Sequence, residues 1–308
     1  MKKILVTGGA GFVGSHLCEF LLNCGNKVVC LDNLQTGSKE NVRPLLKNRN
    51  FTFIKANINN RLNLKGKFDQ IYNLACPASP VHYQADPIGT IRSNSIGIMN
   101  MLELAKKNKA RILQTSTSEV YGDPSCHPQT EDYRGNVNPI GPRACYDEGK
   151  RLAETLFFEY KRQFGLDVRV ARLFNTYGPN MAINDGRVVS NFINQAINGQ
   201  SITIYGKGKQ TRSFCYVSDT VRALYLLMNQ EKTSGPINIG NPEERTMVEI
   251  AQEINNLVKS GSKLVYKPLP VDDPVKRKPD ITLARKYLKW QPEVALLDGL
   301  KMTIEYFK

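Results

Sequence analysis

Tyr146 and Lys150 stand four residues apart as Y-x-x-x-K, in a stretch whose spacing predicts a helix from about Tyr146 to Gln163. Residues four apart share a helix face, so the ammonium can sit near the phenol. A phenol titrates near pH ~10 unless a neighbouring cation favours the phenolate. Such a pair makes tyrosine a usable general base. Upstream, the turn Ser116-Thr117-Ser118-Glu119-Val120-Tyr121-Gly122 follows a β-rich run. Its hydroxyls and single carboxylate suit hydrogen bonding to a sugar and local proton transfer. Each feature also has a plainer reading: Y-x-x-x-K as surface decoration, Ser118 as a loop cap. The N-terminus tips the balance toward chemistry.

There, Thr7-Gly8-Gly9-Ala10-Gly11-Phe12-Val13-Gly14 follows the first strand and opens the first helix. Gly8, Gly11 and Gly14 are spaced as G-x-x-G-x-x-G, the pattern of a tight turn that lets a pyrophosphate approach a helix N-terminus. Asp32 ends the second strand, 18 residues after Gly14. A carboxylate there can accept both hydroxyl hydrogens of an adenosine ribose and would repel a 2′-phosphate. Asn33 and Leu34 follow it without positive charge. The expected cofactor is therefore NAD.

The elements that must position these groups alternate in type. Strands are expected at Lys3 to Val6, Val28 to Leu31, Phe51 to Ile54, Gln70 to Leu74, Arg111 to Thr115 and Val168 to Arg172. Helices are expected at Gly11 to Leu22, with Phe12, Val13, Leu17 and Leu21 available for one face, and at Ile96 to Lys107. Alternation of this kind implies parallel strands with right-handed crossovers, hence an α/β fold with a doubly wound, Rossmann-type parallel sheet. After Phe174 the texture changes, with Asn, Gly and Pro frequent in Asn175-Thr176-Tyr177-Gly178-Pro179-Asn180. A helix at Val188 to Ile197, a strand at Ser201 to Tyr205 and a helix at Ser218 to Met228, capped by Ser218 or Asp219, follow. This suggests an NAD-binding domain over residues 1–174. A smaller α/β substrate-binding lobe would cover 175–308, with some of its segments returning to the sheet.

Bulk properties narrow the classes. Hydrophobic residues make up 41% and charged residues 23%, as in ordinary globular proteins. No apolar run is long enough to span a bilayer. The chain opens directly on a strand, so a soluble, cytoplasmic protein without a signal peptide is expected. The seven cysteines are scattered without a Cys-x-x-Cys pair, and the three histidines lie far apart. Free thiols in a reducing compartment fit this better than disulfides, and no metal site is expected. The net charge of +14 is spread along the chain without any nucleic-acid-binding motif. It fits general surface charge, with some steering of a polyanionic substrate.

The motifs resemble the extended short-chain dehydrogenase/reductase family, and within it the UDP-glucuronate decarboxylase (UDP-xylose synthase) branch. The segments that carry the resemblance are TGGAGFVGSH, LDN..TG, NLACPASP, STSEVYGDP, NPIGPRACYDEGKR, RLFNTYGP, NDGRVVSNFI, QTRSFCYVSD, NIGNPEE and DDPVKRKPDI, spanning essentially the whole chain. The run Asn138 to Arg151 is the most specific of them.

The resemblance implies that Tyr146 takes the proton of the sugar 4-hydroxyl while C4 is oxidised by NAD. The resulting 4-ketone lets the C6 carboxylate leave as carbon dioxide, and protonation at C5 followed by hydride return then gives UDP-xylose. It implies that Thr117 holds the 4-oxygen, that Ser118 and Glu119 line the C5/C6 region, and that Lys150 tunes Tyr146 and binds the nicotinamide ribose. Cofactor contacts are implied at Gly8, Gly11, Phe12, Val13, Gly14, Asp32, Asn33, Thr36, Gly37, Asn57, Ile58, Leu74, Tyr146, Lys150, Thr176 and Arg187. Contacts to UDP-glucuronate are implied at Arg92, Asn94, Thr117, Asn175, Tyr205, Arg212 and Arg277, with Arg212 and Arg277 clamping the phosphates. Guanidinium forks suit that task.

Two residues depart from the family pattern: Asn57 where an Asp is usual, and Asn180 in place of an Arg. Related 4,6-dehydratases carry an Asp directly before the Glu, where this chain has Ser118, and related 4-epimerases usually lack the Glu. A 4-epimerase or 4,6-dehydratase remains the alternative enzyme reading. A non-catalytic NAD-binding scaffold is the alternative of another class. By analogy the family pairs subunits through helices around Ile96 to Lys107 and Tyr146 to Gln163, so a homodimer is expected, with Leu152, Leu156 and Phe157 available for the contact. No nucleic acid or membrane partner is expected.

Overall fold

In the computed structural model, which describes residues 1–270, 272 and 276–308, β1 (Lys3–Thr7) is buried on both faces at the middle of a sheet. Side chains alternate along a strand. Ile4 and Val6 therefore join one core and Leu5 the opposite one. The same division holds along β2 (Lys27–Asp32), with Val28 and Cys30 on one side and Val29 and Leu31 on the other. This two-sided burial is why these strands read as continuous apolar runs.

With β3 (Phe51–Lys55), β4 (Gln70–Asn73), β5 (Arg111–Thr117) and β6 (Val168–Leu173), they form a seven-stranded sheet. Its order is Ile237–Ile239, β6, β5, β4, β1, β2, β3, and every pairing is parallel. The chain runs outward from β1 through β2 to β3, then returns to β4 on β1's other side. Between β1 and β4 the winding reverses, and the carboxyl ends of the strands open a crevice there. The expected doubly wound sheet is the one observed. The edge strand Ile237–Ile239 comes from far along the chain and pairs with β6.

Helices cover both faces. α1 (Phe12–Asn23) contributes Leu17, Cys18 and Leu21 to one core. The short helices α2 (Pro80–Ala85) and α3 (Pro87–Asn94) precede α4 (Ile96–Asn108), and α5 (Ala144–Phe164) follows β5. Ile98, Met101 and Leu102 of α4 pack with Ala153 and Phe157 of α5 in the other core. α2 and α3 escape a periodicity reading because each starts on a proline that looks like a breaker. Proline at the first helical position is in fact compatible, since its missing N–H would have no intrahelical partner. α5 begins two residues earlier than expected and stops at Gly165, whose φ of +65° suits a left-handed helix end.

Beyond β6 lie α6 (Val188–Ile197), α7 (Val217–Met228), α8 (Met247–Val258) and α9 (Leu296–Phe307). Short strands accompany them: Ile202–Tyr205 beside Leu264–Lys267, and Thr211–Ser213 between Glu244–Thr246 and Lys276–Arg277. The resemblance segment 272–281 is only partly covered, since 273, 274 and 275 lie outside the described residues. Among the described residues no helix is long and apolar enough to cross a membrane. No group of His, Cys, Asp or Glu among them could hold a metal.

The expected cap of α7 is corrected. Tyr216 is the N-cap residue and contributes no side-chain cap, Ser218 is exposed, and Asp219 turns inward. The Asp219 carboxylate accepts from the backbone N–H groups of Glu293 and Val294, both at 2.9 Å, and pairs with Arg222 at 3.0 Å. Its carbonyl accepts from the indole of the fully buried Trp290 at 3.0 Å. Asp219 thus pins the segment leading to α9 onto α7. Asp219→Ala would leave two part-buried N–H donors and the Arg222 guanidinium without this partner, and is expected to lower stability by about 1–3 kcal/mol in a urea titration. A loss below about 0.5 kcal/mol would contradict this account.

Candidate active site

The crevice holds a cavity of about 820 Å³ lined by Gly8, Gly11, Phe12, Val13 and Gly14 at one end and by Tyr205 and Arg212 at the other. The glycine loop is shaped by contacts that tolerate no side chain. Gly8 has φ +68°, and a Cβ on Gly14 would lie 2.1 Å from the Gly8 carbonyl oxygen. α1 starts at this loop with Gly11 as its N-cap residue and no capping side chain, so its first N–H groups are open to an anion. Asp32 accepts from the Ala10 N–H at 3.0 Å and the Leu34 N–H at 2.8 Å. Burial pushes its carboxyl up, against the pull of these backbone bonds. A carboxylate with further acceptor capacity beside a side-chain-free loop fits a dinucleotide's ribose and pyrophosphate.

Asn33, Thr36, Asn57, Ile58 and Leu74 also line the cavity. The Asn57 side-chain oxygen accepts from the Asn59 N–H at 2.9 Å, which fixes its orientation. Gly37 does not reach the cavity. It tucks beneath the loop, where a Cβ would meet Ala10 at 2.9 Å and the Asp32 carboxylate at 3.0 Å.

At the end of β5, Thr117, Ser118 and Glu119 line the same cavity as Tyr146 and Lys150. Thr117 caps the short turn Ser118–Tyr121 by accepting from the Glu119 N–H at 3.2 Å. Lys150 is buried and donates to the Thr115 carbonyl at 2.9 Å, with its ammonium 5.7 Å from the centre of the Tyr146 ring. Burial lowers the Lys150 pKa and raises that of Tyr146, while a hydrogen bond with Thr117 pulls Tyr146 back. Lys150 thus lies near the phenol as expected, while burial opposes the phenolate form that a base requires.

Glu119 is the electrostatic centre. Its Oε2 accepts from Arg143 Nη2 at 2.7 Å and from Arg277 Nη2 at 3.0 Å. Burial opposes its ionisation, but the guanidinium groups of Arg277, Arg143 and Arg212 prevail and hold its pKa down at about 2. Asp147, beside Arg143, is pushed up to about 7 by burial and by Glu119.

Several predicted residues sit elsewhere than expected. Arg92 is exposed on α3 and does not line the cavity, because the buried face of that helix is the one carrying Thr90 and Asn94. Asn94 is fully buried, donating to Cys76 Sγ at 3.1 Å and to the Thr90 carbonyl at 3.0 Å, against Gly149 of α5. It packs α3 onto α5 rather than facing the crevice. Arg277 is buried behind Glu119, bonded to it and to the Gly122 carbonyl at 2.9 Å, so it is not on the cavity wall either.

Asn175, Thr176, Arg187, Tyr205 and Arg212 do line the cavity. The Thr176 hydroxyl bonds inward to the Phe174 carbonyl and to Thr220. Arg187 pairs with Asp185 and lies over the Phe12 ring. Arg212 is buried on the strand Thr211–Ser213, in register with Arg277 on its neighbour.

Residue-by-residue reading missed Arg143, Tyr83 and Cys76, all on the cavity wall. The signal was present, since Cys76 lies in NLACPASP and Arg143 in NPIGPRACYDEGKR, but nothing in the sequence tied either to Glu119 or Tyr146.

Comparison with known proteins agrees with this architecture. The family model described as GDP-mannose 4,6 dehydratase matches residues 5–303. UDP-glucuronic acid decarboxylase 6 of Arabidopsis thaliana is 55% identical over 307 residues, covering 99% of this chain and 89% of its own. UDP-glucuronic acid decarboxylase 1 of Danio rerio is 55% identical over 306 residues, covering 99% of this chain and 72% of its own. Among solved structures, the UDP-glucuronic acid 4-epimerase of Bacillus cereus, in complex with UDP-glucuronic acid and NAD, superposes with a TM-score of 0.88 at 29% identity, over 99% of this chain and 98% of that one. With a family model covering all but its ends and such relatives along nearly its whole length, the chain belongs to the GDP-mannose 4,6 dehydratase family and, within it, to the UDP-glucuronic acid decarboxylases.

Proposed function

We propose that this protein is an NAD-dependent carboxy-lyase converting UDP-glucuronate to UDP-xylose and carbon dioxide. The observation that carries this reading is one cavity joining the glycine loop and Asp32 to Tyr146, Lys150 and an arginine-held Glu119. The α1 N-terminus and Gly8, Gly11 and Gly14 would hold the pyrophosphate of NAD, Asp32 its adenosine ribose, and Asn57 and Ile58 the adenine end. When bound, NAD supplies reversible hydride acceptance at the sugar C4.

The chain's own residues manage protons and position. Thr117 would hold the 4-oxygen while Tyr146, entering as the phenolate, takes its proton and later returns it. Lys150, fixed on the Thr115 carbonyl, supplies positive charge beside the phenol and a donor for the nicotinamide ribose. Oxidation at C4 places a ketone β to the carboxylate, so carbon dioxide can leave with its electrons in an enolate, which takes a proton at C5 before C4 is reduced again. Ser118 and Glu119 line the C5/C6 end. Arg212 and Asn175 would bind the diphosphate, with Tyr205, exposed at the cavity mouth, against the uracil. In this reading residues 1–174 bind NAD and 175–308 supply most nucleotide-sugar contacts. The seven free thiols support a reducing, cytoplasmic location.

A homodimer through α3, α4 and α5 fits the exposed Ile88, Ile91, Ile96, Met99 and Leu152. Phe157, expected at this contact, is instead fully buried in the core. In sedimentation the protein is expected at twice its chain mass, and the double variant Met99→Glu, Leu152→Glu at the mass of one chain. Both species running as monomers would refute the pairing.

Incubated with UDP-glucuronate and NAD, the protein should release carbon dioxide and UDP-xylose. Formation of UDP-galacturonate without carbon dioxide would instead assign it as a 4-epimerase, and no product at all would sink the proposal. Tyr146→Phe should bind UDP-glucuronate near normally while kcat falls by roughly 10²–10⁴-fold. Near-normal turnover in that variant would remove Tyr146 from the role of base.

A further inference from the structure

We propose that Tyr83 is a substrate-binding, specificity-determining residue of this site, its ring fixing the plane of Tyr146 and its hydroxyl donating to the carboxylate end of the sugar. The proposal rests on the uronate substrate read above and names a residue that reading leaves unused. Tyr83 lies on α2 and lines the cavity, yet is only 1% exposed. Its ring stacks on that of Tyr146 with centroids 4.8 Å apart and planes 6° from parallel. The backbone behind it is tied from both sides, since its carbonyl accepts from Thr90 Oγ1 at 3.3 Å and from Cys145 Sγ at 3.6 Å. The ring is therefore a rigid wall against which the Tyr146 phenol is oriented.

The hydroxyl is the informative part. It is buried and meets no hydrogen-bond partner among the described residues. A buried hydroxyl without a partner is destabilising, and phenylalanine would give the same stack without that cost. The group therefore calls for a ligand. Burial keeps the phenol protonated, so it is a donor, and Arg143, Glu119 and Asp147 are the charged groups that bear on it. The Arg143 guanidinium carbon lies 6.0 Å from the ring centre. In the reading above, the C5/C6 end of a sugar with C4 at Tyr146 lies at Ser118 and Glu119, and Arg143 is bonded to Glu119. A phenol donor next to a guanidinium recognises a carboxylate there better than a hydroxymethyl group.

The test uses the NAD-loaded enzyme and compares Tyr83→Phe, which keeps the stack, with Tyr83→Leu, which removes it. Tyr83→Phe is expected to raise KM for UDP-glucuronate about tenfold. Its kcat should fall by less, its pH profile should not move, and its calorimetric affinity for UDP and UDP-glucose should match the parent's. Tyr83→Leu should in addition lower kcat and shift the pH profile of kcat, as the Tyr146 ring loses its support. A parental KM in Tyr83→Phe, or an equal loss of affinity for UDP-glucose, would overturn the carboxylate contact. A parental pH profile and kcat in Tyr83→Leu would overturn the positioning role. Failure of the unaltered enzyme to release carbon dioxide would count against the decarboxylase reading instead, and the calorimetric comparison of UDP-glucuronate with UDP-glucose would still decide the case for Tyr83.

Discussion

The placement of the chemistry depends on one buried charge cluster, the Glu119 carboxylate between Arg143 and Arg277. Taking a carboxylate and two guanidiniums out of water is costly unless each finds partners with good geometry. Here three remote pieces of chain must meet: the end of β5, the residue just before α5, and the strand Lys276–Arg277. The constraint propagates. Arg143 and Tyr146 are three residues apart, so they share a side of the helix start. Anchoring Arg143 to Glu119 thereby sets the rotation of α5, and with it the direction of both Tyr146 and Lys150. Removing one guanidinium would leave the remaining charges uncompensated, which is more damaging than never burying them.

A second polar network keeps the sheet beneath this cluster in register. Glu154 of α5 accepts from Ser116 at 2.5 Å and takes a two-pronged contact from Arg172 of β6 at 2.9 and 2.8 Å. Arg172 also donates to the Tyr121 hydroxyl at 3.0 Å, which in turn donates to Asn238 on the edge strand at 2.7 Å. β5, β6, α5 and the returning strand are thus joined by bonds that a slipped register would break. Apolar packing alone would tolerate more sliding. The site needs β5 fixed along its axis, because Thr117 and Glu119 leave from its end.

Much of this was legible in the amino-acid sequence, and the physical reason is locality. Buried strands such as Val28 to Leu31, the glycine spacing from Gly8 to Gly14 and the four-residue step from Tyr146 to Lys150 are short-range patterns with one geometric meaning each. What was not legible is long-range. Arg277 reads as a phosphate clamp beside other basic residues, and only the pairing of its strand with Thr211–Ser213 carries it behind Glu119. Arg92 and Asn94 were both expected at the substrate, although their spacing of two puts them on different sides of a helix, and that helix was hidden by its opening proline. Asp219 looked like a cap because of its position near a helix start, while its partners lie more than seventy residues downstream. Tyr83 carried no signal, since stacking on Tyr146 is a property of the folded crevice.

Tyr146 acts as a base only as the phenolate, so the burial that favours its neutral form has to be offset within the site. That phenolate is a buried anion near Glu119, so it needs a cation close by. Lys150 is the cation placed for this, its ammonium bonded to the Thr115 carbonyl and 5.7 Å from the centre of the Tyr146 ring. In the proposed reaction the phenolate takes the 4-hydroxyl proton as C4 is oxidised and becomes the neutral phenol that burial favours. Returning it as C4 is reduced restores the starting state, so the tyrosine, like the redox chemistry it serves, shows no net change over a turnover.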